Sequence, residues 1–305
     1  MAGFSHPKDL RKEFLIINTI TTMEQKFEVR NATEKEVDQI LVEWSAQEGW
    51  NPGLHDGPCY YAADPTGFFI GYLGEEPIAC VSAVAYDKSF GFMGFYIVKP
   101  EYRGHEYGLQ IGKIGFDYLG RRTIGLDGVV AQQANYMKSG FKIAWNNYRM
   151  KGKAVTSPEE FPEIVPLSDE LMEEVEILDA SCFSITRPLF FRRWVKQPDH
   201  TVFVSIRKGR VSGYGVIRKC RDGYKIGPLI ADDQEQAEAF YLRLCSTVEE
   251  GATVYLDIPE LNKSAIHLAS KLKMEKVFET ARMYIGHVPL IKMSKIFGLT
   301  SFEIG

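Results

Sequence analysis

The constraint that bears hardest on this chain of 305 residues is that one order of elements runs through it twice. In the first pass, apolar periodicity and turn residues predict a strand at Phe27 to Arg30 and then a helix. Thr33 with Glu36 forms a capping box, and Val37, Ile40, Leu41 and Trp44 share one face. A loop rich in turn residues covers 49–58. Strands at Gly67 to Leu73, Ile78 to Tyr86 and Phe90 to Val98 are joined by tight connections that predict antiparallel hairpins. A helix from Arg103 to Arg121, a strand at Thr123 to Leu126, a short helix at Ala131 to Ser139 and a strand at Phe141 to Met150 close the copy.

The order returns after a polar, Pro-containing stretch. A strand at Ile164 to Leu167 leads to a helix capped by Ser168 and a second helix at Arg187 to Val195. Strands at Val202 to Arg207, Val211 to Arg218 and Tyr224 to Ile230 precede a helix starting at Asp233. A strand at Val254 to Asp257, a helix at Lys263 to Leu272 and a strand at Val277 to Ile285 end the copy. Both closing strands carry the pair Arg-Met, as Arg149-Met150 and Arg282-Met283. Self-similarity at so long a period means a duplicated domain, not a solenoid. The boundaries expected are an extension at 1–25, a first domain at 26–152, a linker at 153–163 and a second domain at 164–305.

Composition narrows the functional classes. Hydrophobic residues make up 45% and charged residues 25%, as in ordinary globular chains. The 36 basic and 40 acidic residues leave a net charge of −4, against nucleic acid as the main partner. The apolar run Phe14 to Ile17 is far shorter than the roughly 20 residues that cross a bilayer. Residues 1–25 mix acids with bases, unlike an organelle transit peptide. Cys59, Cys80, Cys182, Cys220 and Cys245 have no metal-ligand spacing and read as reduced thiols, so a cytoplasmic location without a metal is expected.

Chemistry concentrates in Gly94-Phe-Tyr-Ile-Val-Lys-Pro-Glu-Tyr-Arg-Gly-His-Glu-Tyr-Gly108, a strand, a turn and a helix start. Unpaired amides and the peptide dipoles favour an anion there, and glycine lets the backbone approach a phosphate. The residues themselves fit a pyrophosphate seat, and also a plain connection. Its part from Ile97 to Gly108 resembles the acetyl-CoA loop of the GNAT superfamily of N-acetyltransferases, Arg/Gln-x-x-Gly-x-Gly/Ala. Tyr136-Met-Lys-Ser-Gly-Phe141 is similar to the second hallmark of that family, Tyr-x-x-x-Gly-Phe. The whole chain resembles the tandem type with a YitH-like C-terminal acetyltransferase domain.

The resemblance implies an α/β fold with a mixed sheet, as two tandem GNAT-like domains, each a mostly antiparallel sheet flanked by helices. It implies acetyl-CoA as co-substrate and an amine acceptor, small molecule or protein, with no nucleic acid or membrane partner. Tyr96, Ile97 and Val98 would pair with the pantetheine arm. Amides of Arg103, Gly104, His105, Glu106, Tyr107 and Gly108 would hold the pyrophosphate. Glu106 stands where the family has its middle glycine, so its carboxylate must point to solvent. Tyr136 would protonate the leaving thiolate, a task its phenol suits at neutral pH; an aromatic at a helix end also serves core packing.

For the base, the strand at Phe90 to Val98 offers no ionisable acid or imidazole. Asp127 is the first candidate, followed by Asp56, His55 and Glu43. Trp44, Trp50, Tyr60 and Tyr61 are candidates for the acceptor side. In the second copy the corresponding turn is Gly227-Pro-Leu-Ile-Ala-Asp-Asp-Gln-Glu235, acidic and without the arginine, and Ala269 replaces the tyrosine. The second domain is therefore expected to keep the fold and lose the cofactor chemistry, and Lys225, Arg282 and His287 there read as surface or core polar groups. The activity expected is N-acetyl transfer to a primary amine, with a non-catalytic acyl-CoA sensor as the alternative.

Overall fold

A computed structural model describes residues 26–155 and 157–305. The N-terminal extension expected at 1–25 lies outside the described residues. The first copy begins with β1 (Phe27–Asn31), and then α1 (Glu34–Glu36), a π-helical turn (Val37–Val42) and α2 (Glu43–Gln47) form one continuous rod. Thr33 and Glu36 make the capping box expected of them. A further helix, α3 (Asp56–Ala63), occupies part of the stretch read as loop. Gly57 and Pro58 sit in its first turn, where the backbone N–H groups have no intrahelical partner and proline costs nothing.

The copy continues with β2 (Phe68–Leu73), β3 (Glu76–Ala85), β4 (Phe90–Val98), α4 (Tyr107–Leu119), β5 (Thr123–Val129), α5 (Gln133–Lys138) and β6 (Lys142–Lys153). The second copy comprises β7 (Ile164–Pro166), α6 (Met172–Phe183), α7 (Pro188–Trp194), β8 (His200–Arg207), β9 (Arg210–Lys219) and β10 (Tyr224–Ile230). It ends with α8 (Gln234–Cys245), β11 (Thr253–Pro259), α9 (Lys263–Lys271) and β12 (Glu275–Ile285). One element has no counterpart in the first copy, β13 (Ile296–Gly298).

The two copies do not form separate sheets. The thirteen strands of the described residues join one sheet in the order β1-β2-β3-β4-β5-β12-β6-β11-β10-β9-β8-β7, with β13 on β10. Each copy is completed by the closing strand of the other: β12 pairs antiparallel with β5, and β6 with β11. The Arg-Met pairs now have a role. Arg282 on β12 makes a two-pronged ion pair with Asp127 on β5, at 2.8 and 2.7 Å. Arg149 on β6 does the same with Asp257 on β11, at 2.7 and 2.8 Å. All four side chains are buried. These pairs cross between the copies, so the repeated arginine marks strand exchange.

The apolar core is shared as well. On one face of the sheet, Val37, Leu41, Tyr60 and Phe95 pack in one cluster with Phe190, Trp194 and Tyr214 of the second copy, and with Leu299, Phe302 and Ile304 beyond β13. At about 25 cal/mol per Å² of apolar surface, burying each such aromatic or branched side chain contributes roughly 1.5–3 kcal/mol. Asp56 of α3 adds a further buried ion pair to Arg218 of β9, at 2.9 Å. α4 covers the opposite face, where Ile111 and Leu119 pack with Val81, Met93 and Leu126. The five cysteines are buried free thiols, and no helix among the described residues is long and apolar enough to cross a membrane.

Candidate functional site

β4 and β5 run parallel and paired from Phe90↔Thr123 to Met93↔Leu126, and then separate. The cause is visible in β4. Its register against β3 slips between Cys80↔Ile97 and Ser82↔Gly94, so Phe95 and Tyr96 share the place opposite Val81. Phe95 takes φ 47°, a left-handed conformation that a bulky residue keeps only when its surroundings hold it. It is buried against Tyr60, with ring centroids 5.5 Å apart. Such a bulge bends the strand and strengthens its twist. β4 therefore leaves β5 and opens a cavity of about 540 Å³ in the fork.

Beyond β4, the turn leads into α4. The amides of Gly104, His105, Glu106, Tyr107, Gly108 and Leu109 find no acceptor among the described residues. Six donors at the start of a 13-residue helix fit a diphosphate by geometry and by dipole. Gly104 adopts φ 85°, and Glu106 caps the helix with φ 64°. The left-handed backbone at 106 is the reason a glycine suits this position. Residues 103–106 are exposed, and the Glu106 carboxylate makes no ion pair among the described residues. Arg103 braces the turn from behind, donating to the Val98 carbonyl at 2.8 Å and to Glu48 at 2.5 Å. A Cβ on Gly108 would lie 2.9 Å from the Tyr96 hydroxyl, so glycine lets α4 close onto β4.

Tyr136 stands on α5 across the fork. Gly140 takes φ 96°, and the Phe141 amide returns to the Tyr136 carbonyl at 3.1 Å, ending the helix and burying Phe141. This explains the Tyr-x-x-x-Gly-Phe spacing as a helix stop. The Tyr136 ring lies over Gly128, where a Cβ would come within 2.8 Å of it. Burial pushes its phenol up to about 12, with the neighbouring Tyr96 adding to the shift. Tyr96, Tyr136 and Asp127 all line the cavity.

The base candidates read from the sequence turn out to be engaged. Both oxygens of Asp127 accept from Arg282, and Oδ1 also accepts from Asn147 at 2.7 Å. Burial pushes its carboxyl up while the Arg282 guanidinium pulls it down. Asp56 is taken by Arg218, His55 meets Asp199 at 3.1 Å, and Glu43 meets Arg221 at 2.9 Å. Of the four aromatics, Trp50 alone lines the cavity, its carbonyl held by Arg149. Trp44 and Tyr60 are buried core, and Tyr61 is half-buried.

Sequence reasoning missed the wall opposite Tyr136. It is built by Phe278 and Thr280 of β12 and by Phe302 and Glu303 after β13. The signal was present: the apolar segment from Ile296 onward is left over once the second copy of the repeat is complete.

The second copy shows the same fork in another state. β10 pairs with β11 from Tyr224↔Val254 to Ile226↔Leu256, and its register against β9 slips between Ile226 and Leu229. Here β13 lies in the gap, paired with Leu229 and Ile230, while the Leu299 amide donates to the Asp257 carbonyl at 2.7 Å. Asn262 caps α9 and donates to the Ile296 carbonyl at 2.9 Å, fixing the strand there. Asp233 caps α8 by accepting from Gln236, so the acidic turn serves its own helix. Lys225 and Arg282 are buried and His287 is exposed.

A bulged β4, a forked sheet, a helix start with bare amides and a tyrosine across the gap are the features expected of the GNAT class, and the comparisons identify that family. Residues 31–136 match the acetyltransferase (GNAT) family and residues 175–298 an acetyltransferase (GNAT) domain. The chain is 32% identical over 270 residues to holothin acyltransferase of Pseudoalteromonas sp. (strain SANK 73390), spanning 88% of this chain and 91% of that one.

The chain belongs to the GNAT acyltransferase family, in its tandem form. Among solved structures it resembles a putative acetyltransferase from Pyrococcus horikoshii with a TM-score of 0.78 at 20% identity, covering 92% of this chain and 96% of that one. It also resembles a tandem GNAT protein from the clavulanic acid biosynthesis pathway, with a TM-score of 0.61 at 13% identity, covering 86% and 100%.

Proposed function

We propose that the first copy transfers an acetyl group from acetyl-CoA to a primary amine and that the second copy is its degenerate scaffold. The observation that carries this reading is the contrast between two equivalent forks, one open to a cavity and one filled by β13. In the open fork, amides of residues 104–109 receive the diphosphate and β4 from Tyr96 to Val98 lines the pantetheine path. The thioester then lies between Tyr96 and Tyr136. A phenol held near pKa 12 remains protonated through neutral pH and donates to the departing thiolate. Asp127 acts by holding β12 in place and so shapes the wall facing Tyr136.

A relative named as an acyltransferase of one named compound, holothin, favours a small-molecule acceptor over a protein, and a location in the cytoplasm suits supply of acetyl-CoA. The test is thiol release from acetyl-CoA over a panel of amines, with titration of acetyl-CoA into the protein. One equivalent bound per chain and amine-dependent release are expected. Tyr136→Phe is expected to lower turnover about 10²–10⁴-fold with CoA affinity retained. Binding without release on any amine would favour a sensor instead.

A further inference from the structure

We propose that Glu303 is the proton acceptor for the incoming amine, a reading that rests on the acyl-transfer function above. Glu303 is 2% exposed and lines the cavity shared with Tyr136. Its Oε2 accepts from the Tyr60 hydroxyl at 3.3 Å, whereas its Oε1 has no partner. A buried carboxylate oxygen left unpaired carries a large desolvation cost, which a cationic amine arriving at it offsets. Close by, Thr280 offers a second buried oxygen without a partner. Trp50, Phe278 and Phe302 give the amine's stem an apolar wall.

The placement is enforced by backbone. A Cβ on Gly94 would overlap the Glu303 carbonyl oxygen, so the segment after β13 lies directly against the β4 bulge. The chain thus supplies, from about 200 residues downstream in sequence but adjacent in space, the acid that β4 itself lacks. The ammonium gives one proton to Glu303 Oε1, and the freed nitrogen pair attacks the thioester carbonyl. The C–S bond breaks as the carbonyl re-forms, and sulfur takes its electron pair and the Tyr136 proton. The amide nitrogen returns its surplus proton to the tyrosinate, and Glu303 releases its own to water.

The groups facing Glu303 are Tyr60 and, behind it, Asp56 with Arg218; Arg149 and Lys225 act on it electrostatically, as does Asp127. Glu303→Gln keeps the shape and removes the basicity. With an alkylamine, which is an ammonium at pH 7, turnover is expected to fall about 10²–10³-fold. With an aromatic amine, already neutral at pH 7, the fall is expected to stay below about 10-fold, and the alkylamine defect is expected to shrink at pH 9.5. Melting temperature and acetyl-CoA affinity are expected to match the wild type.

Equal losses on both amines, or a variant within threefold of wild type on the alkylamine, would overturn the assignment of Glu303 alone. A wild-type protein that acylates neither amine overturns the transfer reading and this inference with it. Should Glu303→Gln fail to fold, Glu303→Asp decides: a larger loss on the alkylamine than on the aromatic amine supports the role, and equal losses reject it.

Discussion

Replacing Arg282 with methionine tests whether strand exchange is held by its buried ion pairs. The methionine keeps an apolar stem where the guanidinium now lies over Phe92 and Trp145, 4.9 and 5.9 Å from the ring centroids. What is lost is the charge opposite Asp127, whose side chain is fully buried. Asn147 then remains as that carboxylate's sole hydrogen-bond partner among the described residues. Stranding one member of a buried pair costs about 3–5 kcal/mol, against about 0–1 for an exposed pair. With unfolding entropy near 2.1 cal/mol/K per residue, unfolding the roughly 280 described residues implies a loss of roughly 5–8 °C in Tm for that cost. Because the pair joins the two copies, calorimetry is expected to show one transition in the wild type. Asp127→Asn, alone and combined with Arg282→Met, completes a double-mutant cycle with a coupling of about 1–3 kcal/mol. Arg149→Met against Asp257 is expected to repeat the result. A coupling within about 0.5 kcal/mol of zero, or two separate transitions in the wild type, would refute the idea that these arginines lock the exchange.

The loop offers a second test. A left-handed residue at 106 costs about 1–2 kcal/mol, of which the greater freedom of unfolded glycine returns about 0.5–1, so Glu106→Gly is expected to be slightly more stable and to bind CoA more tightly. Glu106→Gln separates charge from backbone: affinities measured by calorimetry are expected in the order Gly, Gln, Glu, and Gln equal to Gly would reject the backbone contribution. For Tyr136, burial raises the folded pKa to about 12 over an unfolded value near 10. The neutral phenol is favoured in the fold, so its contribution to stability is complete below pH 10 and lost as pH rises through about 12. Turnover at saturating amine is accordingly expected to show no alkaline limb from this residue below about pH 10. An alkaline limb near pH 8 that vanished in Tyr136→Phe would contradict it.

The element order and the Thr33 cap were legible because each is local, a few neighbouring residues determining the backbone and its bonds, whereas Ser168, read as a cap, makes no side-chain bond to its helical turn. Two features were not legible. Strand exchange leaves the hydrophobic pattern of β6 and β12 unchanged, since either partner buries the same alternating faces. Only the repeated Arg149 and Arg282, matched to Asp257 and Asp127, mark it, and a pairing across more than a hundred residues has no sequence periodicity. The helix α3 was lost to Gly57 and Pro58, which punctuate most chains but are tolerated in a first turn. Glu303 escaped for a similar reason: its meaning depends on the Gly94 bulge, and nothing near it in sequence names that neighbour.

The segment after β12 connects the fates of the two forks. Ile296 to Gly298 fill the gap between β10 and β11, and Leu299 bonds to Asp257. Five residues past Gly298 the same backbone passes Gly94 and presents Glu303 to the open fork. Gly227 leaves room for the Leu299 carbonyl, much as Gly94 leaves room for that of Glu303. A nucleotide thioester could enter the second fork only by stripping β13 from β10, and that displacement would withdraw Glu303, Phe302 and Ile304 from the first. Filling one site and furnishing the other are therefore one structural commitment. The asymmetry of two nearly equivalent copies follows from where a single stretch of chain, present once, is laid down.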